Sequence, residues 1–225
     1  MCVCYVKKKN DFFSHPYMYS IQRYNKNMYY LFFDFETDGI GRPITKQNAI
    51  EIAWITTDQY FNETSRHVYY FDSVQKVNCS FHGEDIIYQL ENNATSRRDI
   101  LLLFLSEINK VLTNKGNVIA HNIEFDLKIL LNECEKEQLK LNKDKLRQLY
   151  EKKICTMQWF AEEKCLCNKQ KHKLEEVYAY FYHEKPSLRL HEALNDVIVL
   201  KDCFQSLVQL KHINTLAHQL QSIVS

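Results

Sequence analysis

The sequence predicts an α/β protein built on a mixed sheet, with three antiparallel strands first, parallel strands afterwards, and flanking helices. Two observations lead to this prediction. In the first third of the chain, apolar and aromatic segments are joined by connections too short for crossover helices, which favours antiparallel pairing. After Ser96, short apolar runs alternate with amphipathic stretches, which is typical of helices packed on the faces of a sheet.

Three strands are predicted in the antiparallel part. Residues 29–35 form an apolar, aromatic run, and turn-forming glycine and proline residues follow at positions 39–43. Residues 49–57 alternate in the pattern of a strand, and residues 67–71 are rich in valine, tyrosine and phenylalanine. The first segment is the most continuously apolar, so we expect it to be a buried strand.

The second half of the chain predicts helices that alternate with short strands. Ser96 is a candidate N-cap, with Asp99 three residues later, for an amphipathic helix that continues to residue 112. The other predicted elements are a strand at 118–120, a helix at 125–133, a mixed-charge helix within 135–153, a strand at 154–157 followed by a helical segment, a helix at 174–181, and consecutive helical segments at 193–204 and 207–223. This order is the one that a parallel half-sheet with covering helices requires.

Length and composition predict one folded domain. A chain of 225 residues with 45% hydrophobic and 25% charged residues has room for a single large core. We expect a domain at residues 28–225, preceded by an N-terminal extension at residues 1–27, whose polar residues and tyrosines show no clear period. The net charge of +1 excludes a global attraction to a polyanion, so contact with nucleic acid would depend on local basic patches.

The sequence also predicts a soluble, intracellular protein. No signal-peptide pattern follows Met1, so the eight cysteines are expected to be reduced thiols. The longest strongly apolar run, residues 100–105, is far shorter than the roughly 20 residues that cross a bilayer, so no membrane segment is expected. Cys165 and Cys167 followed by His172 form a weak zinc pattern, because the spacing differs from that of usual zinc sites.

Two acidic residues stand at the end of the first apolar strand. Asp34 and Glu36 are separated by one residue, so both would project from one face of the strand while Phe33 and Phe35 pack on the other. Two convergent carboxylates at the end of a buried strand favour a divalent cation. The alternative is that the strand ends at Phe33 and the acids lie in a solvated turn.

Two further clusters of polar residues follow later in the chain. Asp126 comes shortly after the strand at 118–120, where ligands bind in open α/β sheets, although an acid in the first turn of a helix also stabilises the helix dipole. His191 precedes Asp196 by five residues, which is a rotation of roughly 140° on an α-helix. The two side chains therefore converge only if His191 lies in the loop before the helix. A solvated histidine at a helix end is the alternative.

Taken together, these residues resemble the three sequence motifs of the DEDDh family of 3′–5′ exonucleases. The motifs are Asp34-x-Glu36-Thr37-x-Gly39, His121-Asn122-x-x-Phe125-Asp126 and His191-x-x-x-x-Asp196. They occur in the order found in the family, and the resemblance extends over about residues 29–205. It implies the ribonuclease H-like fold of proofreading, TREX-like and RNase T-like exonucleases.

Two positions refine the resemblance. A sister group carries tyrosine four residues before the last aspartate, but this chain has Glu192 there and a histidine at position 191, so it is similar to the histidine type. Asp38 follows Thr37 where family members more often carry threonine or serine, a departure that leaves the implied metal ligands intact. All five catalytic positions are filled, which argues against an inactive descendant of the family.

The resemblance implies a site in which four acids hold two Mg²⁺ or Mn²⁺ ions. Asp34 would bridge the two ions, and Asp126 would support the second of them. Glu36 and Asp196 would complete the site that holds the attacking water. His191 would accept the proton of that water, since an ordinary histidine pKa of about 6.5 suits a base at neutral pH.

The resemblance also implies where the substrate lies and what happens to it. In related enzymes the positions that match Thr37, Ile40 and Asn122 contact or lie close to the substrate end, without reading its sequence. The expected reaction is stepwise hydrolysis from the 3′ end of DNA or RNA, with release of nucleoside 5′-monophosphates. The expected partner is single-stranded nucleic acid or a frayed 3′ end.

Two points about partners and activity stay open at this stage. A homodimer or an association with a polymerase would fit the family, and the motifs contain no signal for the 2′-hydroxyl contacts that separate RNA from DNA. The alternative function is a catalytically inactive nucleic-acid-binding or polymerase-associated module on the same fold.

Overall fold

The computed structural model describes residues 28–39, 43–72, 84–163 and 171–224, with side chains described up to residue 211. Within these residues the chain forms six β-strands in one sheet and seven α-helices. This is the predicted α/β fold. The predicted extension at residues 1–27 and the predicted roles of Ile40, Cys165 and Cys167 lie outside the described residues.

The sheet is mixed, as the sequence predicts. Its strands are β1 (Tyr30–Thr37), β2 (Ala49–Thr57), β3 (Glu63–Phe71), β4 (Ala94–Thr95), β5 (Asn117–Ala120) and β6 (Lys153–Cys155). They lie in the order β4-β3-β2-β1-β5-β6. Neighbours among β1, β2 and β3 pair antiparallel, whereas β5 and β6 run parallel to β1 and β4 runs parallel to β3. β1 is therefore a central strand, which explains its apolar sequence.

The described helices cover the two faces of this sheet. They are α1 (Glu84–Asn92), α2 (Arg97–Thr113), α3 (Ile123–Lys136), α4 (Lys143–Lys152), α5 (Thr156–Glu163), α6 (Leu174–Tyr182) and α7 (Ala193–Val224). A short 3₁₀-helix, Ile44–Lys46, lies in the connection between β1 and β2. In the described part of the chain, every helix is too short or too polar to span a lipid bilayer.

Two apolar clusters fill the space between the helices and the sheet. The first contains Phe33 and Phe35 of β1 together with residues of α2 and α3, and the second contains Phe32 together with residues of α6 and α7. Successive residues of a strand point to opposite faces, so the aromatic run of β1 supplies both clusters. The prediction of a buried first strand is confirmed.

Several predicted boundaries shift in the structure. β3 begins at Glu63 rather than at residue 67, because the polar residues before it still pair their backbone with β2. The predicted strand at 154–157 ends at Cys155, and α5 begins at the next residue. The C-terminal segments predicted to be helical, 193–204 and 207–223, form the single helix α7, because the Gln205-Ser206 pair between them does not break a helix.

Other differences concern capping and short elements. Ser96 is the N-cap of α2 and its hydroxyl oxygen accepts a hydrogen bond from the backbone N–H of Asp99 at 3.4 Å, which confirms the predicted helix start. The mixed-charge helix within 135–153 is α4, and it occupies only the second half of that range. The sequence did not predict α1, β4 or the 3₁₀-helix; β4 and the 3₁₀-helix have too few residues to show a period.

A buried ion pair joins α2, α3 and the start of β2. Arg97 and Glu133 are 7% and 0% exposed, and their side chains form a salt bridge. Oε1 of Glu133 accepts hydrogen bonds from the backbone N–H of Ala49 at 3.1 Å and from the Lys136 ammonium at 2.7 Å. Because a buried carboxylate is stable only when its oxygens are paired, these contacts fix α3 against β2.

The turn between α2 and β5 depends on a glycine. A Cβ atom at Gly116 would lie 2.3 Å from the backbone oxygen of Tyr29 and 2.7 Å from Cγ1 of Val111. The preceding residue, Lys115, has a φ of 58°, in the left-handed region that favours glycine. Position 116 therefore has no room for a side chain, whereas position 115 has a backbone conformation that favours glycine.

Gly116→Ala is expected to lower the free energy of unfolding by about 1–3 kcal/mol, because backbone atoms occupy the place of the new methyl group. The matched variant Lys115→Gly should not lower it, because glycine adopts the observed φ without strain. Denaturation followed by circular dichroism measures both values. Equal stability of Gly116→Ala and the wild type would contradict the close approach of Tyr29.

Candidate active site

One edge of the sheet gathers the ends of several strands. β1, β5 and β6 are parallel, so their carboxyl ends meet at this edge, where the amino end of antiparallel β2 also lies. β5 ends at Ala120 and pairs with β1 at Tyr30–Phe32. The last residues of β1 therefore extend beyond β5. They still pair with β2 on one side, but on the other side they face α3.

Asp34 and Glu36 lie in this extended part of β1. They share the strand face of Phe32, whereas Phe33 and Phe35 lie in the apolar cluster on the other face. The strand therefore has the acidic face and the aromatic face that its sequence predicts. Its register against β2 shifts directly after Glu36, and such a bulge bends the end of a strand.

Asp126 lies beside the extended end of β1. It belongs to the first turn of α3 and is 2% exposed, and its Oδ1 accepts a hydrogen bond from the backbone N–H of Phe35 at 3.2 Å. This carboxylate takes the place of the strand partner that β5 no longer supplies. The start of α3 is thus held directly against the acidic part of β1.

His191 lies outside the helix that follows it. α7 begins at Ala193, so the condition for convergence of His191 with Asp196 is met. His191 has a φ of 70°, which is uncommon for a residue with a Cβ atom. Its backbone N–H lies 3.3 and 3.4 Å from the two carboxylate oxygens of Asp196 and donates to them, which stabilises this turn.

The structure brings the five predicted catalytic residues to one edge of the sheet. Among them, Glu36, His191 and Asp196 each offer a ligand atom within 4.8 Å of those of the other two. Asp34 and Asp126 belong to the same group, because Asp126, Asp196 and Glu36 all raise the pKa of Asp34 through their charge. β1 supplies Asp34 and Glu36, α3 supplies Asp126, and α7 with the loop before it supplies Asp196 and His191.

Burial and mutual repulsion raise the pKa values of the four acids. Desolvation is the main cause in each case, and neighbouring carboxylates add to it. The pKa rises to about 9 for Glu36, about 8 for Asp126 and about 7 for Asp196. That of Asp34 lies well above its ordinary range. When the acids are ionised, their negative charges repel each other, and bound cations would offset this repulsion.

The chemistry of the side chains fits divalent metal ions. The four acids offer carboxylate oxygens, which are the hard ligands that Mg²⁺ and Mn²⁺ prefer. Glu36 and Asp196 lie on different elements, and their carboxylate oxygens lie within 4.8 Å of each other. The residues present therefore fit the cations that the family resemblance implies.

The surroundings of His191 favour its neutral form. Burial is the main cause that lowers the pKa of His191. The charge of Glu175 partly opposes this effect, while Lys173 and Arg189 lower the pKa further. The imidazole is therefore neutral near pH 7 and able to accept a proton.

A second histidine connects three elements at the same edge. His121 follows β5, with Nδ1 at 2.9 Å from the hydroxyl of Thr156 and Nε2 at 2.7 Å from the backbone oxygen of His172. A carbonyl oxygen only accepts hydrogen bonds, so Nε2 donates and Nδ1 accepts from the hydroxyl. Burial lowers the pKa of His121 and so favours this neutral form. Sequence analysis placed His121 in the second motif but did not predict these contacts.

The predicted substrate-contacting residues differ in their surroundings. Thr37 is buried, and its hydroxyl donates to Oε1 of Gln47 at 3.0 Å, so its side chain has a partner within the fold. Asn122 is exposed and precedes α3 with a φ of 66°. Ile40 lies outside the described residues.

Asp38, the departure from the family pattern, holds the connection between β1 and β2. Its carboxylate accepts hydrogen bonds from the backbone N–H of Asn48 at 2.9 Å and from the Asn48 amide at 2.7 Å. Its own backbone N–H donates to the Asn48 carbonyl oxygen at 3.0 Å. These contacts close the loop that follows the first acidic motif.

A further buried acid, Glu51, lies opposite Glu36 in the pairing of β1 with β2, and it belongs to none of the three predicted motifs. Glu51 is 4% exposed, and its Oε2 accepts a hydrogen bond from the backbone N–H of Ala193 at 3.2 Å. Burial is the main cause that raises the pKa of Glu51 to about 7, and the bond to Ala193 partly offsets it. An acid inside an otherwise apolar strand is the sequence signal that would have identified it.

The zinc pattern rests on three residues, of which only His172 is described. His172 is buried against the ring of Phe160, and its Nδ1 lies 3.6 Å from the Glu176 carboxylate. Cys165 and Cys167 lie outside the described residues. A zinc site there stays a prediction.

Solved exonuclease structures share this fold. The 3′-exonuclease described in 3′-end specific recognition of a histone mRNA stem-loop has a TM-score of 0.62 and 14% identity, over 86% of this chain and 68% of that one. The nuclease domain of 3′hExo, a DEDDh family member bound to rAMP, has a TM-score of 0.60 and 14% identity, over 82% and 93%. E. coli exonuclease I in complex with a dA16 oligonucleotide has a TM-score of 0.55 and 15% identity, over 81% and 41%. The chain thus spans less than half the length of exonuclease I.

The sequence of the chain matches a protein-family model over most of its length. No curated protein sequence matches the chain significantly. A family model, RNase T, described as exonuclease, matches residues 31–204, which is more than half of the chain. Because this match covers all three acidic motifs and the fold is that of DEDDh 3′-exonucleases, the chain belongs to the RNase T-type exonuclease family of hydrolases.

Proposed function

We propose that the protein is a metal-dependent 3′–5′ exonuclease that releases nucleoside 5′-monophosphates from the 3′ end of DNA or RNA. The observation that carries this proposal is the convergence of Glu36, His191 and Asp196 at the sheet edge where Asp34 and Asp126 also lie. Four acids and a proton acceptor are the groups that phosphodiester hydrolysis with divalent cations requires. Membership of the exonuclease family supports the same reaction class.

The four acids would hold two Mg²⁺ or Mn²⁺ ions. When bound, such ions neutralise charge on the phosphate oxygens and make a water molecule more acidic. Asp34 and Glu36 come from β1, Asp126 from α3 and Asp196 from α7, so the fold itself assembles the ligands. The high pKa values of the acids make the ionised cluster unstable without cations and therefore support this assignment.

His191 would accept the proton of the attacking water. Its ring nitrogen lies within 4.8 Å of ligand atoms of Glu36 and Asp196, so it borders the place where a cation and its water would lie. Its lowered pKa keeps the imidazole in the accepting form at neutral pH. The hydrogen bond from its backbone N–H to the Asp196 carboxylate stabilises the turn that carries the imidazole ring.

The 3′ end of the substrate would enter between the extended end of β1 and the start of α3. Asn122 is exposed at this helix start, and Asp126 lies one turn further along. A terminal nucleotide must separate from any partner strand to reach this place, which favours single-stranded or frayed ends. The structures with rAMP and with a dA16 oligonucleotide support a nucleic-acid substrate for this fold.

Asp34→Asn and His191→Ala are each expected to slow nucleotide release by at least about 100-fold, because one loses the central acid and the other loses the proton acceptor. The substrates are 5′-labelled single-stranded DNA and RNA of matched sequence, each with Mg²⁺ or Mn²⁺. A gel that shows progressive shortening from the 3′ end measures the rate. Chromatography of the released products should identify 5′-monophosphates.

Glu135→Gln is the matched control for these variants. Glu135 is an exposed acid on α3, the helix that carries Asp126, so this variant should degrade the substrates at the wild-type rate. A wild-type protein that binds the oligonucleotides but leaves them intact would contradict the proposal. That result would favour a binding module on the exonuclease fold.

The metal-free protein should lose stability as the pH rises. The pKa values of Glu36, Asp126 and Asp196 are about 9, 8 and 7 in the folded state, so the folded state binds more protons than the unfolded chain, where they are about 4. The free energy of unfolding therefore falls from about pH 4 towards about pH 9. Thermal unfolding in a chelator at about pH 6 and about pH 8.5 measures this fall. A melting temperature that rises over this interval would contradict the charge arrangement.

Mg²⁺ or Mn²⁺ should restore stability at the higher pH, because cations bind the ionised acids. At a concentration about 100-fold above Kd, the expected gain is about 2.7 kcal/mol. Asp34→Asn should melt higher than the wild type without metal and should lose most of the gain with metal. Glu135→Gln should respond as the wild type does, and an equal loss in both variants would contradict the assignment of Asp34 to the metal site.

A further inference from the structure

We infer that Glu51 is a positioning residue for the exonuclease reaction: its carboxylate holds the start of α7 against the sheet and thereby sets the place of His191 and Asp196 relative to β1. This inference rests on the proposed function and adds a residue that the acidic motifs do not include. Glu51 is not assigned a contact with substrate or metal. Its effect on the reaction passes through the helix that it holds.

The position of Glu51 links the two halves of the site. It pairs with Glu36 across β1 and β2, so both side chains project from the same face of the sheet. From there its carboxylate reaches the backbone N–H of Ala193, the first residue of α7, at 3.2 Å. The first N–H groups of a helix have no partner within the helix, so this bond satisfies one of them.

The first turn of α7 and the loop before it form one hydrogen-bonded unit. The backbone N–H of His191 donates to the Asp196 carboxylate, and the Asn195 amide donates to the Arg189 carbonyl oxygen at 2.9 Å and to the Glu192 carboxylate at 2.7 Å. A shift at the start of the helix therefore moves His191 and Asp196 together. Glu51 joins this unit to β2 by a directional contact.

Apolar packing alone does not fix the helix start in this way. Ala193 and Val197 lie in the same buried cluster as Ala53 of β2 and Phe32 of β1. Such contacts hold α7 on the sheet, but hydrophobic burial has no direction, so it fixes the helix start less strictly than a hydrogen bond does. A displacement of about 1 Å in a catalytic group costs on the order of 100-fold in rate. The bond from Glu51 opposes that displacement.

Three variants of Glu51 test whether the length of its side chain or its charge is required. Glu51→Ala removes the acceptor, Glu51→Asp keeps the charge on a side chain one methylene shorter, and Glu51→Gln keeps an oxygen acceptor at the original length. If the bond to Ala193 is what matters, Glu51→Gln should keep kcat within about threefold of the wild type, whereas the other two should lose about tenfold or more. KM for a single-stranded oligonucleotide should change by less than about twofold in all three, since no substrate contact is removed.

The control for the loss of an acid near the site is Asp85→Asn. Asp85 is exposed and lines, together with Glu51 and Glu192, a cleft of about 420 Å³ beside the start of α7, but it lies on α1. This variant should have wild-type kcat and KM. Melting curves with Mg²⁺ establish for each variant that the assay is run on folded protein. If Glu51→Ala does not fold, the comparison of Glu51→Asp with Glu51→Gln decides.

The outcomes distinguish this inference from the proposed function. A wild-type protein without nuclease activity would overturn the proposed function itself. An active wild type together with unchanged kcat in Glu51→Ala would overturn the inference alone. A Glu51→Gln variant as slow as Glu51→Ala, with Glu51→Asp close to the wild type, would also overturn it, because charge and not the bond to Ala193 would then be required.

Discussion

The early end of β5 is the constraint on which the site depends. β5 stops at Ala120, so β1 continues past its last pairing with that strand while still pairing with β2 on its other side. A longer β5 would cover the backbone of Phe35 and leave no place for the start of α3. Because the strand stops, Asp126 accepts the Phe35 N–H instead, and a helix terminus takes a position that a strand would otherwise fill. The acids of β1 and α3 therefore meet beside β1, just beyond the end of β5.

Apolar packing around the acids offsets the unfavourable free energy of burying them close together. The pKa values of the cluster show that its ionised form is unfavourable in the folded protein, so the surrounding structure must be stable without help from these residues. Phe32 packs on one face of β1, and Phe33 and Phe35 pack on the other. Glu133, buried and paired with Arg97, holds α3 to β2 independently of the site. Along β1, the aromatic residues thus stabilise the strand from which Asp34 and Glu36 project.

The sequence predicted those features that are encoded within a few residues. The alternation of β1 placed Asp34 on one face, and the Ser96 cap marked the start of α2. It also set the condition that His191 must precede its helix, which the structure meets. Contacts between distant residues were not predictable in this way. Glu51 and Ala193 are 142 positions apart, and their bond depends on how α7 packs on the sheet, which periodicity does not encode.

Backbone hydrogen bonds to the acids fix the directions of their carboxylates. Asp126 accepts the N–H of Phe35, Asp196 that of His191, and Glu51 that of Ala193, and in each case this bond lowers the pKa against the effect of burial. The resulting pKa values are about 8 for Asp126, about 7 for Asp196 and about 7 for Glu51. A carboxylate held in this way is fixed in direction and closer to its ionised form at neutral pH. The same bonds that join α3 and α7 to the sheet therefore also fix the directions of these carboxylates, so the packing of the fold assembles the acidic cluster.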